Sequence, residues 1–428
     1  MKNIILFLLM VFSSNLYSNA QTWKNWNTLN SPLSTNQIFD LAIDSDNNKW
    51  LTTLDGVVKF DGSNWQTFNT GNSPLPNNQC YSIAVEGRTI WIGSVQGLVK
   101  VDSNFNWTIY NRQNSGLPFD NVISIDIDAS GNKWLGTLDP LGFDGGGLTK
   151  FDNLSWTSFN TVNSPISSDI VSNSFADKSG RIWIATNSGL DVLTNNLWTI
   201  YTPINSGLAD YSIESTREDK IDSVFWIGTR SGISKFDLRT NSWFTFDTSN
   251  AIPSNLIIDV IVDSMNNKWF TSYDKGIVKY DNFSWTVFDS STAGPFIKYA
   301  QKLCLDRNGG IWTNAGYGLV YYGDTLLLNL EKENSNSHSL NNILLYPNPT
   351  INELNLINVS FQKLKNISVL NVQGEMVFES DLSDVLVCEK YHFDLPDLAK
   401  GIYFVKIQFE NNIIVKKIII SNSAAQDF

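Results

Sequence analysis

The sequence predicts an all-β chain: a seven-bladed β-propeller followed by a small antiparallel β-sandwich. Three observations predict it. The stretch Asn48-Lys49-Trp50-Leu51-Thr52-Thr53 through Gly56-Val57-Val58-Lys59-Phe60 recurs along the chain. Its tryptophan returns at Trp50, Trp91, Trp134, Trp183, Trp226, Trp269 and Trp312, in steps of 41, 43, 49, 43, 43 and 43 residues. Each repeat holds several short apolar runs, and that period with such runs is the signature of a propeller blade. After the last repeat a polar stretch, 331–339, leads into 340–428, where six or seven short runs bounded by turn residues suit a small antiparallel sandwich.

Residues 1–20 open the chain with Lys2, an apolar stretch from Ile4 to Phe12 and the small-residue end Ser18-Asn19-Ala20. That order is the pattern of a secretory signal peptide. The apolar stretch is shorter than the roughly 20 residues a membrane span needs, and no other stretch is apolar enough to span. Loss of the leader with Lys2 would take the net charge from -12 to -13. Such a surface repels phosphate backbones, which argues against nucleic acid as a partner. Three cysteines, Cys80, Cys304 and Cys388, are too few for a disulfide scaffold, so packing must carry stability.

The propeller is expected over 21–330. In its first repeat the strands are expected at Ile38–Ile43, Lys49–Thr53, Val57–Phe60 and Trp65–Phe68, from the innermost outward. Runs this short need one another, and four make a small sheet that packs face to face with its neighbours. A second tryptophan follows each of the first six, at Trp65, Trp107, Trp156, Trp198, Trp243 and Trp285. A glycine stands between the two, from Gly56 to Gly276, and Gly318 takes its place in the seventh repeat. Tryptophans at one place in every repeat read first as blade-to-blade packing. The seventh repeat lacks its second tryptophan. Trp26-Asn27-Thr28-Leu29 resembles the missing outer strand, so the N-terminus is expected to close the last blade; Thr325–Leu330 is the competing strand.

Two sets of residues are candidates for binding. Repeat three carries six extra residues within Leu138–Gly146. Insertions in repeat proteins map to loops on one face, often the binding face, which makes Asp139, Phe143 and Asp144 candidates. Counting ten residues back from each first tryptophan gives Asp40, Tyr81, Ser124, Asn173, Thr216, Asp259 and Lys302, all polar. They fit an innermost strand facing a watery channel where a small polar ligand or a cation could sit.

The repeats contain no histidine; His338 and His392 both come later. Histidine general bases, histidine metal sites and Ser-His-Asp arrangements are thereby excluded from the main domain. Two carboxylates could still form a glycosidase pair, with Asp40 and Asp259 in suitable register. Asp44, Asp46 and Asn48 resemble a calcium loop only in their first positions, and a hairpin turn accounts for them better. No metal site and no cofactor are expected. In the last domain, strands are expected at Glu353–Ile357, Asn366–Leu370, Met376–Glu379, Tyr391–Asp394, Ile402–Gln408 and Asn412–Ile420.

Two resemblances follow from these residues. Leu345-Tyr346-Pro347-Asn348-Pro349-Thr350, Val372 to Gly374, Lys400-Gly401-Ile402-Tyr403-Phe404-Val405 and Val415-Lys416-Lys417-Ile418-Ile419 resemble the type A sorting domain of the type IX secretion system of Bacteroidetes. That resemblance implies the type IX machinery as a partner, passage across the outer membrane, removal of the domain, and release or attachment at the surface. Asp128-Ala129-Ser130-Gly131-Asn132-Lys133-Trp134-Leu135-Gly136-Thr137 and Arg181-Ile182-Trp183-Ile184-Ala185-Thr186 resemble the two-component regulator propeller repeats. Members of that family often join such propellers to a membrane span and a histidine kinase; here neither follows, which puts direct signalling in doubt. The favoured expectation is a secreted or surface-bound propeller that binds a glycan or a protein. An adhesive surface component and a carboxylate-based polysaccharide-degrading enzyme are the alternatives.

Overall fold

Each repeat folds into a four-stranded antiparallel sheet because its runs are short, β-rich and separated by residues that tolerate tight turns. The structure, a computed structural model, describes residues 22–219, 221, 223–323, 343–346, 350, 353–358, 364–382, 390–409 and 413–420. The expected leader at 1–20, the expected linker at 331–339 and the competing strand Thr325–Leu330 lie outside the described residues. The chain divides into two compact units, Met1–Lys332 and Glu333–Phe428.

Seven four-stranded sheets make up the first unit. The first has strands Ile38–Ile43, Lys49–Thr53, Gly56–Phe60 and Trp65–Phe68, hydrogen-bonded in that order. The seventh is completed from the far end of the chain: Thr22–Trp26 pairs with Gly318–Gly323. Its register differs from the one read in the sequence. Trp23 pairs with Tyr322 as Trp65 pairs with Phe60, and Trp26 pairs with Leu319 as Phe68 pairs with Val57. Trp23 is therefore the counterpart of the second tryptophan, and the expected strand Trp26–Leu29 starts three residues late. The seven-residue step from Trp65 to Asn72 recurs from Trp23 to Asn30, not from Trp26.

The first tryptophans lie at most 5% exposed between blades. In four blades the residue before this tryptophan covers the tryptophan of the preceding blade. Lys49 lies 4.6 Å over Trp312, Lys133 4.3 Å over Trp91, and Lys268 5.7 Å over Trp226, while Phe225 stacks on Trp183 at 3.8 Å. The three lysines are fully buried. Burial of an ammonium is tolerable here because each lies over an aromatic face. Lys268 also reaches Asp219 at 2.7 Å, and Lys133 the Gly131 carbonyl at 2.6 Å.

The indole N–H groups are bonded as well. Asp44, Glu86, Asp128, Asp177, Asp263 and Asp306 accept from Trp50, Trp91, Trp134, Trp183, Trp269 and Trp312 at 2.8–3.1 Å. Trp226 is the exception, its N–H meeting no acceptor among the described residues. Asp44 also accepts from the backbone of Asp46 and Asn48 and from the Asn48 amide. Its carboxylate is thus committed to the turn. No group of three or more metal-ligating side chains occurs among the described residues.

The second unit is a sandwich of two sheets. Ile343–Tyr346, Glu353–Asn358 and Lys390–Asp394 form one; Met376–Asp381, Leu364–Leu370, Gly401–Phe409 and Ile413–Ile420 form the other. Leu354, Leu356, Ile367, Val369, Val405, Ile407 and Ile418 fill its core. Among the described residues no helix is long and apolar enough to cross a membrane.

Candidate functional site

The innermost strands bring the polar residues to a central channel, where a cavity of about 140 Å³ lies. Asp40, Asn173, Thr216, Asp259 and Lys302 line it, and so do Asp126, Ser174 and Arg217, which counting back from the tryptophans does not reach. Tyr81 does not line it. In blade two the strand pairing puts Ser82, not Tyr81, in the position of Asp40, because the turn before Trp91 is one residue shorter. Tyr81 sits at the register shift between Cys80 and Ser82 and packs edge-on against Phe39 at 5.0 Å. A fixed offset cannot register a channel whose hairpins differ in length.

Half of these polar groups, with others on the same strands, hold neighbouring blades together. Ile83 donates its backbone N–H to Asp40 at 3.0 Å, Ala176 to Asp126 at 2.8 Å and Leu303 to Asp259 at 2.9 Å. The Ser82 hydroxyl donates to the Val122 carbonyl, Ser124 to Val171 and Ser172 to Ile213. Between blades five and six the Arg217 Nε–H reaches the Val260 carbonyl at 3.4 Å. Asn314 closes the ring with a bond to the Ile38 carbonyl. Each of the seven blade junctions therefore has at least one channel-side hydrogen bond across it.

Burial pushes the Asp40 carboxyl up to about 6, against the opposing pull of Lys302. Burial likewise pushes Asp126 up to about 6, opposed by the Ala176 N–H and Arg217. Burial by itself would lower Lys302, but Asp259 and Asp40 outweigh it and hold the ammonium above its ordinary value. Cys304 also lines the channel, its thiol bonded to the Leu41 carbonyl at 3.1 Å and its pKa raised by burial.

Three lining side chains stand apart from this network, and a fourth, Arg217, enters it only through its Nε. Ser174 and Thr216 are 5% and 3% exposed, and neither hydroxyl has a hydrogen-bond partner among the described residues. Asn173 lines the cavity beside them. The Arg217 guanidinium lies 5.0 Å over the Phe175 ring with its Nε engaged at long range.

The insertion in blade three lies elsewhere. It lengthens the hairpin, whose strands run Lys133–Leu138 and Gly145–Phe151 with Leu138 opposite Gly145. At its tip the Asp139 carboxylate accepts the backbone N–H groups of Phe143 at 2.7 Å and Asp144 at 3.0 Å. Those bonds, led by the Asp144 N–H, hold Asp139 below the usual carboxylate range. Asp139 therefore shapes the loop, and Leu141 and Phe143 stand 76% and 78% exposed on it. At the base, Gly147 donates to the Asp169 carbonyl, and the Asp169 carboxylate accepts from Thr161 in the connection to blade four. Hairpin and inter-blade connection thus share one rim.

Residues 344–421 match the family described as the secretion system C-terminal sorting domain. Two solved structures resemble most of the chain. One is the extracellular domain of the hybrid two-component system BT3049 from B. thetaiotaomicron, with TM-score 0.61, 18% identity, 94% of this chain and 57% of that one covered. The other is PorZ, an essential bacterial surface component of the type-IX secretion system of Porphyromonas gingivalis, with TM-score 0.54, 14% identity, 92% of this chain and 61% of that one covered. The chain thus spans less than two thirds of either structure's length. A streptogramin B lyase matches with TM-score 0.57 and 13% identity, over 71% of this chain and 97% of the lyase. At these identities the likeness is one of fold. No curated protein matches the sequence. The chain is therefore a seven-bladed β-propeller protein that carries a secretion system C-terminal sorting domain, the mark of export to the cell surface or beyond.

Proposed function

We propose that the propeller works outside the cell or on its surface as a binding module, and that the rim bearing the blade-three hairpin is its contact face. The observation that carries this reading is the exposure of Leu141 and Phe143 on a loop held in shape by Asp139. Two large apolar side chains held in water on a tied-down loop suit a partner that buries them. A protein surface fits best, because Asp139 is largely committed to its own loop. A glycan is the second reading, since an exposed phenyl ring such as Phe143 can stack on the apolar face of a sugar.

The neighbours' descriptions agree with display at the surface: one is an extracellular domain and the other a bacterial surface component. Lyase chemistry does not carry over. A lyase neighbour is described as catalytically inactive once a histidine is replaced by alanine, and the repeats here hold no histidine. Hydrolysis by Asp40 and Asp259 is also disfavoured, because each carboxylate accepts a backbone N–H from the next blade.

The test uses the full chain and its Leu141→Ser, Phe143→Ala double variant. Surface cross-linking on whole cells and a glycan array are run in parallel. A cross-linked protein species lost in the double variant supports a protein partner, and array binding lost in the variant supports a glycan. Contacts that persist unchanged in a folded double variant would overturn the assignment to this rim.

A further inference from the structure

The channel holds a second feature, independent of the rim. Its carboxylates and its donors are used unequally. Asp40, Asp126 and Asp259 each accept a backbone N–H across a blade junction. On blades four and five several donors are uncommitted, although the Ser172 hydroxyl and the Arg217 Nε–H bond across junctions. The Ser174 and Thr216 hydroxyls are buried without partners, and the terminal amino groups of Arg217 meet no acceptor among the described residues. Asn173 adds a carboxamide to the same wall, and Lys302 faces the cavity from blade seven. Buried hydroxyls without partners are costly, and a native fold that keeps two beside a guanidinium normally satisfies them with something. What such a wall lacks is an acceptor, and a carboxylate is the acceptor that matches a guanidinium fork.

We propose that Asn173, Ser174, Thr216 and Arg217 form a binding site for a small carboxylate that also bears hydroxyl groups. The guanidinium takes the carboxylate, assisted by the two side-chain hydroxyls. The ligand's own hydroxyls face Asp40 and Asp259, whose remaining lone pairs accept them. The cavity of about 140 Å³ has room for several non-hydrogen atoms rather than a single water. Five charged groups face it: Asp40, Asp126, Asp259, Lys302 and Arg217. Asp40 and Asp126 take up protons near pH 6, so acidification removes negative charge from the cavity while both cations persist. Binding of an anion strengthens as the pH falls from 7.5 to 5.5.

The experiment is titration calorimetry on the full chain with D-glycerate as the probe and glycerol as its uncharged counterpart. Saturable binding of D-glycerate at one site per chain is expected, several-fold tighter at pH 5.5 than at pH 7.5, with no saturable heat from glycerol. Arg217→Gln should weaken it by about tenfold or more, consistent with loss of a charge-assisted bidentate contact. Thr216→Val, which leaves the blade-junction bonds intact, should weaken it by a smaller factor and serves where Arg217→Gln perturbs folding. No saturable heat from D-glycerate at either pH, equal binding of glycerol, or undiminished binding by both variants would each overturn the proposal.

Discussion

Aspartate serves two opposite roles in this fold, and pH separates them. At the outer turns an aspartate accepts backbone N–H groups in water. Asp152 is the clearest case, held down at about 2 chiefly by the Ser155 N–H. In the channel, burial dominates, and Asp40 and Asp126 rise to about 6 from an ordinary 3.8. The signs follow from linkage. A carboxyl lowered on folding contributes stability above its unfolded value, which is lost as the pH falls toward its folded value. A carboxyl raised on folding does the reverse, its contribution being full below about pH 4 and gone once the pH has risen past about 6. Asp126→Asn removes that penalty while keeping an oxygen for the Ala176 N–H. It should be more stable than the parent at pH 7.5 by about 1–2 kcal/mol, below the full linkage energy because the Asn amide is an imperfect stand-in for the protonated carboxyl. At pH 4.5 the two should differ little. Urea denaturation at both values checks this, and an equal difference at the two pH values would contradict it.

At the scale of the blade, the repeated glycine marks a steric requirement. Gly56, Gly97, Gly147, Gly189, Gly232, Gly276 and Gly318 all have positive φ within two residues of the start of the third strand. A Cβ at any of them would run into the carbonyl that ends the fourth strand; for Gly97 this is the Tyr110 carbonyl, and for Gly318 it is that of Trp26. The contact lets the outermost strand lie close against its hairpin, and a side chain would push it away. Gly97→Ala, at φ 125°, should therefore destabilise the propeller by about 1–3 kcal/mol. Ala substitution at Gly87, where a Cβ meets nothing within 4 Å, should cost less despite its own positive φ. Comparing the two denaturation midpoints decides the matter, and equal costs would show that strain alone, not the collision, sets the requirement.

The whole molecule depends on joining residues nearly 300 positions apart. Thr22–Trp26 supplies the outer strand of the last blade, and Trp26 stacks on Trp312 at 5.3 Å while Trp23 packs on Tyr322 at 4.5 Å. Trp26 is 8% exposed, in the cluster that joins blades seven and one. Trp26→Ala should cost about 3–5 kcal/mol, the range for deleting a buried aromatic ring. Removal of residues 22–26 should leave a chain that opens at the junction of blades one and seven. Proteolysis would read this as early cleavage near that junction, and a truncated chain as resistant as the parent would argue against closure from the N-terminus.

The repeat alone determined the architecture. Tryptophan spacing, the recurring glycine and the turn residues specify seven sheets, because packing every sheet in the same way requires the same residues at the same places. Lys400 to Val405 and Val415 to Ile419 made the sorting domain legible for the same reason, a specific run at a specific place. The register of the closing strand was also written in the sequence, in the seven-residue step from Trp23 to Asn30, but Trp26 was the more conspicuous residue. The channel was only partly legible. A count from the tryptophans reached Asp40, Asn173, Thr216, Asp259 and Lys302, yet it named Tyr81 and Ser124 and missed Asp126, Ser174 and Arg217, because hairpin length shifts the register and several innermost strands line the cavity with more than one residue. Which polar groups hold blades together and which remain uncommitted was decided only by the tertiary structure. A hydrogen bond across a blade junction joins residues about 40 or more positions apart, and no local pattern records whether its acceptor is already taken.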